Sequence, residues 1–291
     1  MGDLAVTASG HIVSPFANAR PLSPTEDPTP SGEMSPPKIS APHMRVAPRD
    51  PMVDTLRFAR IAKLAYRDAG DLIASADLDQ FESVKYISTN NAQACVLRRP
   101  EETVVAFRGS DELGDWRDNA RVRKTPLDIG GKKLGRVHRG FKQHWDSIRV
   151  AVAAEVALGD PEAAVVFVGH SLGSVCLFSA VEHAIETGVE PWCYTFGAPR
   201  LGDAAFARAA ERLIPSRLVR VHNGRDPVPC APFFWYSHAG RLVRVGEADP
   251  PECTRWNEWR AGAASFVRGA IQDHAIDDYI DVLSRRVHPA S

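Results

Sequence analysis

The sequence predicts an α/β fold in which helices flank a largely parallel central sheet. Three observations point there. β-type and helical patterns alternate along most of the chain. Ala163–Val168 is an unbroken apolar run, as expected of a strand buried on both faces rather than one. The 291 residues are 44% hydrophobic and 24% charged, enough for one large globular core.

Taken in order, residues 1–51 hold ten of the 22 prolines, interleaved with Ser, Thr and Gly. Such a stretch cannot bury enough apolar surface to offset its ordering entropy, so a disordered leader over 1–51 is expected, with one domain over 52–291. Asp54 reads as the cap of a helix with Leu56, Ile61, Leu64 and Ala65 on its apolar face. Short β runs follow at Val84–Ser88, Ala94–Leu97 and Thr103–Phe107. Arg139–Leu158 reads as one long amphipathic helix, Ala163–Val168 as a buried strand and Leu172–Glu186 as a helix. Then come a strand at Trp192–Phe196, a helix at Ala204–Leu213, strands at Arg217–Val221 and Arg241–Val245, and a last helix near Asp273–Leu283.

Several classes of function are excluded early. With 35 Lys plus Arg against 36 Asp plus Glu, the net charge is −1 and gives no field to gather nucleic acid. No apolar run of about 18 residues is present, so no transmembrane helix is expected. The five cysteines form no C-x2-C pair, which argues against a zinc site. Their odd number excludes complete intramolecular pairing, and usage leans toward a reducing compartment. Met1–Ile12 has neither the basic nor the apolar region of a secretory signal, so the default location is cytoplasmic.

The chemistry concentrates at Val165-Val166-Phe167-Val168-Gly169-His170-Ser171-Leu172-Gly173. A G-x-S-x-G between a strand and a helix forces a sharp reversal that leaves the serine hydroxyl at its tip. Average usage gives roughly 0.1 such pentapeptides in a chain of this length. Serine is a poor nucleophile at neutral pH and needs a base, which in turn needs an orienting carboxylate. In a sheet of this type the acid and then the base follow the serine. Asp226 stands just past a strand, whereas its competitor Asp203 reads as a helix N-cap. Of His238, His274 and His288, chain order favours His274, which opens the last helix; His238 reads as structural. Backbone N–H groups must also receive the developing oxyanion, one from Leu172 and one from the loop Arg108-Gly109-Ser110.

From about residue 54 to 285 the chain resembles the fungal-type class 3 lipases of the α/β-hydrolase superfamily. The resemblance rests on VVAFRGS, VHRGF, VGHSLG, YTFGAPRLGD and VRVHNGRDPVP in that order, with a DH pair near the end. It implies Ser171 as nucleophile, Asp226 as acid, His274 as base, and Ser110 with Leu172 as oxyanion hole. It also implies a lid at 110–116, where Trp116 would cover the acyl pocket. Phe233, Phe234, Trp235 and Tyr236 follow the acid loop as candidate walls of an acyl groove.

The expected activity is hydrolysis of lipid esters through an acyl-enzyme, at a lipid–water interface, with no cofactor or metal. The alternatives are a soluble short-chain or feruloyl esterase, a phospholipase, and a non-catalytic lipid or protein binder. Two features depart from the family. Secreted members have a signal peptide and paired cysteines, and Ser174 stands where many members carry a second glycine.

Overall fold

A computed structural model describes residues 51–73, 80–110, 123–232, 235–246 and 273–289. The leader expected over 1–51 falls almost wholly outside them, as do Trp116, Phe233 and Phe234. The described strands form a seven-stranded sheet in the order β1-β2-β3-β6-β7-β8-β9 and a separate hairpin, β4-β5. Their ranges are β1 Ser83–Ser88, β2 Gln93–Arg99, β3 Glu102–Phe107, β4 Lys124–Ile129, β5 Lys132–His138, β6 Ala164–His170, β7 Trp192–Phe196, β8 Leu218–Asn223 and β9 Arg241–Val245. β1 to β3 pair antiparallel, and from β3 to β9 every pairing in the large sheet is parallel.

The central strands β3 and β6 are buried along almost their whole length, as the apolar run in β6 requires. Two apolar layers result. On one face lie α3 (Arg139–Asp146), α4 (Arg149–Val156), α5 (Cys176–Thr187) and α6 (Ala204–Leu213), with Trp145, Phe167, Phe178 and Phe206 at the centre. On the other, α1 (Pro51–Leu64) packs beside α7 (Ile276–Val287) over Val104, Val166, Val168 and Phe196. A short helix α2, Ala69–Ile73, follows α1.

The structure departs from the sequence reading in four places. α1 begins at Pro51, so Asp54 lies in its first turn rather than at its cap; proline favours a first helical position and the acid still meets the positive end of the helix. The long helix expected over 139–158 is two helices. Ser147 Oγ donates to the His144 carbonyl at 2.7 Å, and Ile148 leaves helical geometry at φ −126° to reach the core at 1% exposure. The helix after Ser171 starts as a 3-10 turn, Ser171–Val175, before α5. The β4-β5 hairpin was not anticipated, although Gly130-Gly131 between alternating runs is a hairpin signal; both glycines have positive φ.

Candidate active site

β3 and β6 run side by side, with Phe107 paired to Gly169, so the loops leaving both strands emerge together. Ser171 occupies the turn at φ +56°, a left-handed conformation that a side chain adopts only under strain. The flanking glycines explain how the turn closes. A Cβ on Gly169 would lie 2.0 Å from the Gly173 carbonyl oxygen, and one on Gly173 would lie 2.3 Å from that of Phe107. Any side chain at either position would push the elbow off the sheet. Leu172 is the second residue of the 3-10 turn Ser171–Val175, where a backbone N–H has no partner within the turn.

Ser110 is half-buried at the end of the β3 loop. That loop touches the elbow directly, because a Cβ on Gly109 would stand 2.6 Å from the His170 carbonyl oxygen. Ser110 and Leu172 are thus carried by adjoining segments.

The loop after β8 delivers Asp226 and the segment just before α7 delivers His274, and the two meet in the interior. Asp226 is fully buried and His274 is 3% exposed. His274 Nδ1 lies 2.9 Å from both carboxylate oxygens. The carboxylate is held by other donors as well: the Val228 backbone N–H reaches Oδ1 at 2.9 Å and the Tyr279 hydroxyl reaches Oδ2 at 2.6 Å. His222 Nε2 donates to the Asp226 carbonyl at 3.0 Å, fixing the backbone behind the side chain. Burial, reinforced by the Asp226 charge, raises the Tyr279 phenol well above its ordinary value, so it remains a donor. Gly197 lies below the pair at φ +57°, and a Cβ there would come within 2.7 Å of Asp226 Oδ2.

The far nitrogen of this imidazole decides what the pair can do. His274 Nε2 is buried and has no hydrogen-bond partner among the described residues. A buried polar atom left unpaired costs free energy, so it marks a place kept for a group that arrives later. His238, by contrast, has Nε2 on the Pro229 carbonyl at 2.7 Å. Asp203 caps α6, accepting from the Phe206 N–H at 3.0 Å, as its sequence context suggested.

Four residues close to the pair or the elbow were not singled out in the sequence: Tyr66, His170, Gly197 and Tyr279. Gly197 lies within the FGAP segment and His170 within the pentapeptide, so both had a local signal. Tyr66 and Tyr279 had none, because only the folded chain brings them near.

Beyond Asp226, Cys230 is disulfide-bonded, which corrects the reducing environment inferred from cysteine usage. Spacing alone had carried no sign of the bond. Cys95, Cys176 and Cys193 are buried free thiols. Trp235 is 82% exposed at φ +58°, with its carbonyl accepting from Lys124, whereas Tyr236 is buried against His138.

Ser174, the departure from the family pattern, is fully buried with its hydroxyl unpartnered among the described residues. Ser174→Ala removes that penalty and adds helix propensity, so stability should rise by about 1 kcal/mol. The melting temperature should climb by roughly 2–4 °C. A lower value would mean that the hydroxyl has a partner in solution.

Comparison with known proteins places these features. Residues 104–235 match the family Lipase (class 3). The secreted mono- and diacylglycerol lipase 1 of Fusarium solani is 31% identical over 158 residues, 53% of this chain and 44% of that protein. Phospholipase A1-II 1 of Oryza sativa is 26% identical over 189 residues, 57% of this chain and 48% of that one. The chain thus spans less than half the length of either relative. The Rhizomucor miehei triacylglyceride lipase structure superposes with TM-score 0.56 at 27% identity, covering 69% of this chain and 82% of that one. The cytoplasmic default is overturned: it rested only on the lack of a visible export signal, while the Fusarium relative is a secreted lipase and points to an extracellular location. Over residues 104–235, with an α/β-hydrolase sheet and a glycine-flanked serine at a strand-to-helix turn, the chain is similar to the class 3 lipases.

Proposed function

We propose that this protein is a serine carboxylic-ester hydrolase acting on acyl esters of lipids. One observation carries the reading: a buried imidazole held by Asp226 on one nitrogen and left unpaired among the described residues on the other, on the side of the sheet that presents Ser171. Ser171 Oγ attacks the ester carbonyl while His274 Nε2 takes its proton. Asp226 keeps the imidazole in the tautomer that can accept there and stabilises the imidazolium that forms. The N–H of Leu172 and the Ser110 end of the β3 loop face the carbonyl oxygen as it gains charge. His274 then protonates the departing alcohol, and water activated by the same imidazole releases the acid. The open Nε2 suits this sequence, since catalytic hydrogen bonds often tighten only when substrate binds.

The exposed Trp235 offers an aromatic foothold on a lipid–water interface. The relatives' names divide between acylglycerols and phospholipids, and the site chemistry serves either ester.

The test is a nitrophenyl ester series from acetate to laurate, soluble and emulsified, alongside labelling by a fluorophosphonate. Each methylene removed from water is worth about 0.8 kcal/mol, so four added carbons contribute roughly 3 kcal/mol of binding. Only the part realised in the transition state raises the rate. Longer esters should therefore exceed acetate in kcat/KM by at least about tenfold. Acetate as best substrate would favour a small-ester esterase, and absence of labelling would leave a binding protein.

A further inference from the structure

Two imidazoles lie against each other at the site, tilted, and their surroundings separate them. The rings of His170 and His274 have centroids 4.7 Å apart at 34°. Among the described residues His274 keeps one nitrogen free, whereas both nitrogens of His170 are engaged. His170 Nε2 is 2.7 Å from the backbone oxygen of His274, and Nδ1 is 2.8 Å from the hydroxyl of Tyr66. A carbonyl only accepts, so Nε2 must carry the proton, and Nδ1 then accepts from Tyr66. The ring stays neutral, since burial and the neighbouring His274 push it down to about 3. It has no free atom with which to serve as a base.

Tyr66 also reaches the opposite side of the site. It lies in the turn just after α1, and its hydroxyl occupies the space a Cβ on Gly109 would need, at 2.2 Å. Arg108 stands over its ring at 5.8 Å. One hydroxyl therefore abuts the loop that leads to Ser110 and fixes the tautomer of the ring that grips the backbone of His274. The residues involved are 104 positions apart at each link.

We infer that Tyr66 and His170 form a brace of positioning residues that ties the His274 backbone and the Ser110 loop to the Ser171 elbow. This rests on the assignment of His274 as base. Without the Tyr66 hydroxyl, His170 is free to place its proton on Nδ1. Its Nε2 lone pair then faces the His274 carbonyl, and the grip on the base is lost. Small displacements of a base relative to its nucleophile are costly, because rate depends on alignment of the reacting atoms. Binding of the ester in the ground state is not affected by that alignment, so the brace should act on kcat rather than KM.

Four variants of the full chain, assayed on a soluble butyrate ester with melting temperature measured in parallel, decide the matter. Tyr66→Phe should lower kcat on the order of tenfold, the loss of one hydrogen bond's worth of alignment, with KM within about twofold. His170→Gln, whose amide can donate to one neighbour and accept from the other, should retain clearly more kcat than His170→Leu. Tyr66→Phe combined with His170→Leu should be no slower than His170→Leu alone, because both break one link. Wild-type kcat in Tyr66→Phe, multiplicative losses in the double variant, or equal losses in His170→Gln and His170→Leu would each overturn the brace. Should His170→Leu fail to fold, Tyr66→Phe and His170→Gln still decide it. His274→Ala in the same assay separates the two readings: an active His274→Ala removes the base assignment itself. An inactive one beside an unimpaired Tyr66→Phe removes only the brace.

Discussion

Ser171→Ala should lower kcat by about 10^4-fold or more while the protein folds and melts as before, because loss of a nucleophile forfeits the acyl-enzyme route altogether. A second substitution at the same position sharpens the test. At φ +56° the native serine is strained, and glycine adopts that region without the Cβ clash. Ser171→Gly should therefore be as inactive as Ser171→Ala yet more stable by about 1 kcal/mol, a rise of roughly 2–4 °C in melting temperature. Opposite movements of activity and stability at one residue are what strain held at a working site predicts. Turnover above about 1% of wild type in either purified variant would remove Ser171 as nucleophile, since a triad member is worth far more than that in rate. A fall in the melting temperature of Ser171→Gly would remove the strain.

Much of the fold was legible because its elements follow local rules. β7, α6 and β9 occupy the ranges that periodicity gave them, and the buried strand before Ser171 needed only its apolar run. Where the reading failed, the cause was tertiary. The break at Ser147-Ile148 comes from a side chain bonding back to the helix and from a core that draws Ile148 inward, neither of which alters the amphipathic pattern. The disulfide at Cys230 left no trace in spacing. At the site, Ser171 and Asp226 stand in motifs with local geometry: a glycine-flanked turn and a strand-end loop. His274 did not, and order alone left two other histidines open. The groups that hold the pair together were the least visible. Tyr279 contacts Asp226 across 53 residues and Tyr66 contacts His170 across 104, so no window of sequence contains both partners.

The histidines give the sharpest contrast among single substitutions. His274→Ala should reduce kcat by on the order of 10^3- to 10^4-fold, whereas His238→Ala should stay within about threefold of wild type. Both rings follow Asp226 in the chain, and His274 is buried where His238 is half-buried, but position and burial alone do not assign a base. Their nitrogens do. His274 sets Nδ1 against a fully buried carboxylate and leaves Nε2 open, which is the arrangement a general base requires. His238 spends Nε2 on the Pro229 carbonyl. Burial, followed by the charges of Arg220 and Arg200, pushes it down to about 3. It is therefore neutral near pH 7, and no carboxylate among the described residues hydrogen-bonds it to stabilise the imidazolium that proton transfer would create. Its loss removes one hydrogen bond from the acid loop, an effect of about 1 kcal/mol on stability rather than on the chemical step. Steady-state kinetics of the two purified variants on one ester decides the question. An inactive His238→Ala beside a working His274→Ala would transfer the role of base to the other ring and leave Asp226 without a function in the reaction.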